Sequence, residues 1–156
     1  MSNPPAVHGE VVDPRGPRFA AGVTSVVLIV ALAAGPRWGL LPLLIQLLAF
    51  AAGSLLGLRY QPYGLFFRKA IRPRLSQPAE LEDARPPRFA QTVGLVFAVA
   101  GVLGSLFALP ALFYVAVGFA LLAALLNAIF AFCLGCEMYL LGKRLFDRPA
   151  RPGVAG

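Results

Sequence analysis

The sequence predicts an all-α integral membrane protein. It reads as four helices in two parallel two-helix repeats, with a short interfacial amphipathic helix between them. Three observations lead there. The 156 residues are 58% hydrophobic and 13% charged, with mean hydropathy +0.74. Soluble domains carry about 25% charged residues, so much of this apolar surface needs a lipid-facing outlet. The apolar residues also fall into long runs. Lastly, Asp13-Pro-Arg15-Gly-Pro17-Arg18-Phe19-Ala20 returns as Asp83-Ala-Arg85-Pro-Pro87-Arg88-Phe89-Ala90.

Residues 1–18 are polar and proline-rich and read as a flexible cytoplasmic tail. Residues 19–58 form the first hairpin. Its first run, Phe19 to Gly35, has only Thr24 and Ser25 as polar members, and a break follows at Gly35-Pro36-Arg37. Its second run, Trp38 to Leu58, carries Pro42 in the first turn, where a helix tolerates it. At about 1.5 Å per residue each run crosses, or nearly crosses, a hydrocarbon core of about 30 Å. Residues 15–33 also resemble a signal peptide ending at Ala31-Leu-Ala33. The same opening motif recurs at residue 83, where no signal peptide occurs, so the run is read as a membrane helix.

Residues 59–88 form a basic cytoplasmic loop. Within it Phe66, Phe67, Ala70 and Ile71 share one helical face, and Arg68, Lys69 and Arg72 the other. That pattern predicts an amphipathic helix lying in the interface until Pro73 ends it. Residues 89–146 form the second hairpin. Its runs, Phe89 to Leu109 and Pro110 to Phe132, are joined by a tight turn at Phe107-Ala-Leu-Pro110. Residues 147–156 read as a second flexible tail. In the repeated motif proline opens a helix, arginine snorkels and phenylalanine anchors. Arg18, Phe19, Arg88 and Phe89 therefore join Phe66, Phe67, Arg68, Lys69 and Arg72 as expected membrane-interface residues. The small-residue pairs Gly53/Gly57 and Gly94, Ala98, Gly101 and Ser105 suit close helix packing, within the bundle or at a homo-oligomer face.

The net charge is +7. The basic residues flank apolar runs, so the partner they imply is the lipid bilayer with its anionic headgroups and not nucleic acid. Of the 14 lysines and arginines, Arg37 alone lies in a hairpin turn. The expected topology is four crossings of the plasma membrane with both termini cytoplasmic.

Chemistry concentrates between Asn127 and Arg144. Cys133 and Cys136 are the two cysteines, spaced C-x-x-C, followed by Glu137 and the basic pair Lys143 and Arg144. A continuous fourth helix would place the pair near its C-terminal, cytoplasmic end, where the dipole and Glu137 disfavour a thiolate and Lys143 and Arg144 favour one. Four readings stand open. The pair is a thiol–disulfide or sulfur-transfer relay at the membrane surface, with Cys136 attacking and Cys133 resolving. Or it only packs, in a non-enzymatic scaffold or accessory subunit. Or it supplies half of an intersubunit metal site, since zinc needs four ligands and His8 is remote. Or the protein is a transporter, although Gln46, Gln91 and Asn127 are the only strongly polar residues within the runs. Known hydrolase and nucleotide-binding signatures are missing. No cofactor is assigned, and whether the chain is an enzyme stays open.

The repeated P-R-F-A motif, Pro62-Tyr-Gly-Leu-Phe-Phe-Arg68, Leu81 to Ala90 and Phe132-Cys-Leu-Gly-Cys-Glu-Met-Tyr139 resemble the bacterial family "domain of unknown function 4395". The resemblance spans roughly residues 10–148. It implies an integral membrane protein with no established activity, encoded in some cases near thioredoxin-like and sulfur-transfer proteins.

The charge asymmetry yields a test of topology. In a cysteine-free background, a single cysteine at Ser76 should resist an impermeant maleimide in intact cells. Labelling from outside would reverse the orientation.

Overall fold

The structure is a computed structural model that describes residues 9–78 and 80–147. The expected tails at residues 1–8 and 148–156, with His8, Arg148 and Arg151, lie outside the described residues. The chain is mostly helical. In order it forms β1 (Val11–Val12), α1 (Arg15–Trp38), α2 (Leu40–Ala51, widening into a π-helical turn Ala52–Leu56) and α3 (Pro62–Phe66, then a π turn Phe67–Ile71). Next come β2 (Glu82–Asp83), α4 (Arg85–Leu106), α5 (Pro110–Phe130) and α6 (Leu134–Phe146). Among the described residues three helices, α1, α4 and α5, are long and apolar enough to cross a membrane. The stretch Leu40–Leu56 is a shorter apolar helix.

The turns result from local chemistry. The Gly35-Pro36 break is a kink within α1, with Gly35 at φ 76°. Ser105 of α4 donates to the Pro36 carbonyl freed there. The α4–α5 turn falls where the sequence placed it, and Gly104 makes it tight. A Cβ at Gly104 would lie 2.6 Å from the Phe113 amide nitrogen. Gly57, at φ 112°, ends the second run. In α3, Pro62 occupies the first turn and the Gln61 side chain accepts from Gly64 N at 2.7 Å. Pro73 does not stop that segment outright; a 3₁₀ turn carries Arg72–Arg74 beyond it.

The core is built by α1, α2, α4 and α5 around Leu28, Leu43, Phe50, Ala98, Phe113 and Val117. The small residues of α4 face inward: Gly94 lies against Phe50, and Gly101 against Leu43 and Val117. Gln46 is fully buried and bonds two other elements, donating to Thr24 Oγ1 at 3.1 Å and accepting from the Tyr63 hydroxyl at 3.0 Å. Exposed apolar side chains such as Val26, Leu41, Val96 and Phe119 cover the outside, as a lipid-facing surface requires.

Residues 9–18 are not the tail that their composition implied. Val11 and Val12 pair antiparallel with Asp83 and Glu82, and α1 begins at Arg15, four residues before the apolar run. The repeated motif explains the early start. Asp13 Oδ1 accepts from the Arg15 amide at 3.0 Å and from its Nε at 3.1 Å. Asp83 Oδ1 does the same for Arg85 at 2.9 and 3.1 Å. The second arginine of each motif reaches a different helix. Arg18 donates to the carbonyls of Ala128 and Ile129 at the end of α5. Arg88 donates to those of Ser54 and Leu55 at the end of the second run. Both therefore cap orphan carbonyls at the negative end of a helix dipole, a closer task than snorkelling to headgroups. Phe19 stacks on Phe66 and Phe67, and Phe89 packs on Tyr139. Phe67 is buried, so it seats α3 on α1 and does not anchor in lipid; Phe66 remains exposed.

Asp13 is buried, and the Arg15 side chain holds its carboxyl below the ordinary value of 3.8 against the opposing effect of burial. A carboxylate with a depressed folded pKa stabilises above its unfolded pKa, and that contribution fades as pH falls through the folded one. Asp13→Asn should therefore lower the melting temperature at pH 7. The gap to the wild type should narrow only below about pH 4. A gap that is constant from pH 7 to pH 3 would mean the carboxylate charge is not what matters.

Candidate functional site

The fourth apolar run does not stay helical to Phe132. Helix α5 stops at Phe130, and Ala131 takes the left-handed conformation at φ 54°. Few non-glycine residues sit there. The Phe132 amide folds back onto the Leu126 carbonyl, and Arg18 holds the carbonyls of Ala128 and Ile129. The chain then restarts as α6 with Cys133 as its N-cap, in extended conformation. The expected position near a helix C-terminus is thereby corrected: the C-x-x-C pair opens a helix.

That reversal changes the electrostatics. An N-terminal helix dipole stabilises a thiolate, and free amides there donate to it. Cys133 Sγ receives the amide of Cys136 at 3.3 Å. The two Sγ atoms lie at disulfide distance, with Cα atoms 5.1 Å apart, inside the usual range for a bridge. Extended backbone at Cys133 supplies this geometry. The advantage for a thiolate falls on Cys133 at the cap more than on Cys136. Glu137 is in the first turn, its amide bonded to the Cys133 carbonyl. Lys143 and Arg144 occupy the last turn of α6. At about 1.5 Å per residue they lie roughly 15 Å from Cys133, too far to tune it appreciably through water and salt. Lys143 instead lowers the Asp83 carboxyl as a minor contributor, after the Arg85 hydrogen bonds.

Gly135 seats this helix. A Cβ there would lie 2.5 Å from Ala90 Cα and 2.6 Å from Ala90 Cβ, so only glycine lets α6 cross α4 this closely. Cys133 and Gly135 then border a cavity of about 240 Å³. Its walls include Phe50, Phe97, Phe119, Ala124, Asn127 and Gln91. Among the described residues no group of three or more metal-ligating side chains comes together.

Sequence reasoning found the cysteines and Asn127 but missed the break that orients them. No glycine or proline marks Ala131. The signal lay in the first half of the chain. Gln61 caps α3 by accepting from Gly64, three residues on, as Cys133 caps α6 by accepting from Cys136.

The chain matches the family described as "Domain of unknown function (DUF4395)" over residues 12–144. It belongs to that family. No curated protein and no solved structure matches it. The family match spans the Asp13 motif, the loop with α3 and the whole C-x-x-C segment, so the capping turns and the cysteine pair all lie inside the family's shared region.

The Gly135–Ala90 contact is open to test. Gly135→Ala should cost about 1–3 kcal/mol of stability, as overpacking does. Gly118→Ala, where the new Cβ meets nothing within 4 Å, should be neutral or stabilising. Equal melting temperatures for the two variants would show that α6 is not seated through Gly135.

Proposed function

We propose that this membrane protein is a thiol–disulfide relay working at the cytoplasmic face of the bilayer, with Cys133 and Cys136 as its redox pair. The observation that carries this reading is the N-cap position of Cys133. A pair held only for packing has no need of a helix start, an amide aimed at sulfur and an end-on break enforced by Arg18. The pair also sits beyond the apolar span of α5, on the same end of the bundle as the basic loop. The thirteen basic residues outside the hairpin turns favour the cytoplasm for that end.

The two sulfurs take different parts. In exchange, the thiolate with the lower pKa is the better leaving group. A partner thiolate that attacks Cys136 Sγ releases Cys133 as the thiolate stabilised at the cap. Cys136 then carries the mixed disulfide and Cys133 holds the electron pair. The partner's second thiol next attacks its own sulfur in the mixed disulfide, which frees Cys136 and leaves the partner oxidised. A thioredoxin-like or sulfur-transfer protein has the chemistry for this. The cytosol would return an idle pair to the dithiol form.

The frame around the pair supports a finer reading of the fold. The matching Asp13/Asp83 turns, the reciprocal Arg18 and Arg88 caps and the paired N-caps at Gln61 and Cys133 fit two copies of one two-helix unit around an approximate two-fold axis. On this reading the chain makes four crossings, with Leu40–Leu56 as the shortest, and α3 and α6 are counterparts. The first copy keeps glutamine where the second has cysteine, so only one half does chemistry.

The test is trapping. In cells, Cys133→Ser should accumulate mixed disulfides formed as Cys136 attacks an oxidised partner, the reverse of the last step, because the thiol that would release the partner is missing, whereas Cys136→Ser should accumulate far fewer. Purified oxidised protein should gain two titratable thiols on reduction. If both thiols resist maleimide until denaturation and neither variant traps a partner, the cysteines only pack, and a scaffold role replaces the relay.

A further inference from the structure

We propose that the cavity beside Cys133 binds a lipid-soluble quinone, which accepts the electron pair of the reduced cysteines. This rests on the relay reading. Three observations point to such a ligand. First, the cavity is about 240 Å³ and mostly apolar, a size that suits a substituted quinone ring with the start of its tail. Phe97 and Phe119 line it with ring centroids 6.1 Å apart and planes 26° apart, and aromatic walls suit a flat conjugated ring. Second, it runs from lipid to sulfur. Phe119 is 57% exposed on the apolar surface of α5 and lies about 16 Å before that helix ends, at about 1.5 Å per residue. Cys133 borders the cavity and Cys136 does not. Third, the lining is not wholly apolar. Asn127 offers an amide donor for a quinone carbonyl. Gln91 borders the cavity as well, a second side-chain amide in its wall. An acyl chain would use neither group.

Gln91 also borders a second, more polar chamber of about 180 Å³ with Glu10, Gln61, Arg59, Arg68 and Arg72. Gln61 Nε2 is without a partner among the described residues, and both glutamines lie over Gly53. This chamber, rimmed by arginines, shares Gln91 as a wall with the apolar one.

The reaction balances. The Cys133 thiolate adds to a ring carbon of the quinone, forming an S–C bond. Cys136, losing its proton, attacks Cys133 Sγ. The S–S bond forms as the S–C bond breaks, and the electron pair leaves with the ring. The ring takes up two protons, one from Cys136 and one from water. The dithiol is oxidised to a disulfide and the quinone is reduced to quinol.

The experiment uses the full chain in nanodiscs, reduced and freed of reductant, then mixed with decylubiquinone. Quinone absorbance and free thiols are followed together. The expected result is one quinol formed per two thiols lost. Ala124→Phe, which fills the cavity, and Asn127→Leu, which keeps the volume and removes the donor, should each slow quinone reduction about tenfold or more. Gly118→Ala, outside the cavity lining and with nothing within 4 Å of the new Cβ, should reduce the quinone at the wild-type rate. If the wild type exchanges with oxidised glutathione but never reduces the quinone, the quinone site is wrong and the relay stands. If Ala124→Phe and Asn127→Leu both reduce quinone at the wild-type rate, the cavity is not the site. Thiols inert to both oxidants would overturn the relay, and the quinone proposal with it.

Discussion

The fold depends on satisfying backbone carbonyls where helices end beside lipid. An apolar helix leaves its last carbonyls without partners, and water is scarce at that depth. Here the answer is an arginine borrowed from another helix. Arg18 at the start of α1 serves α5, and Arg88 at the start of α4 serves the second run. Each guanidinium brings charge to the negative end of a dipole as well as hydrogen bonds. The contacts cross between the two halves of the chain, so they fix which helix lies beside which.

The same constraint shapes the cysteine segment. Because Arg18 takes the Ala128 and Ile129 carbonyls, α5 ends there and the chain is free to turn at Ala131. Beyond that turn a fresh helix starts, with fresh amides pointing at its first side chain. The chemical character of Cys133 is thus a product of an arginine more than a hundred residues earlier. Gly135 completes the arrangement by letting the new helix lie close against Ala90.

Much of this was legible in the residues. Run lengths and the missing charges marked the membrane helices, and Phe107 to Pro110 marked the turn. The repeated Asp-x-Arg-x-Pro-Arg-Phe-Ala motif marked two equivalent helix starts. What escaped was non-local. The partners of Arg18 lie at positions 128 and 129, and nothing near residue 18 names them. Val11 and Val12 look like part of a tail until Glu82 and Asp83 are brought beside them. Ala131 breaks a run that its own composition would continue. Phe67 reads as a lipid anchor by its helical face, yet Phe19 covers it. The cysteine pair was visible as a motif, but its electrostatic sense was inverted, because that sense depends on which end of a helix it occupies.

The crossed capping also bears on how the protein is made. Chains enter the membrane from the N-terminus onward. When α1 and α2 have been made, the end of the second run still lacks Arg88, which is about thirty residues further along the chain. Its carbonyls at Ser54 and Leu55 wait for the next helix to arrive. Arg18 in turn waits longer, until α5 has been inserted. Neither half of the chain has these carbonyls capped alone, so the caps close late. A truncated first half would leave the Ser54 and Leu55 carbonyls, and Arg18, without the partners that the second half brings.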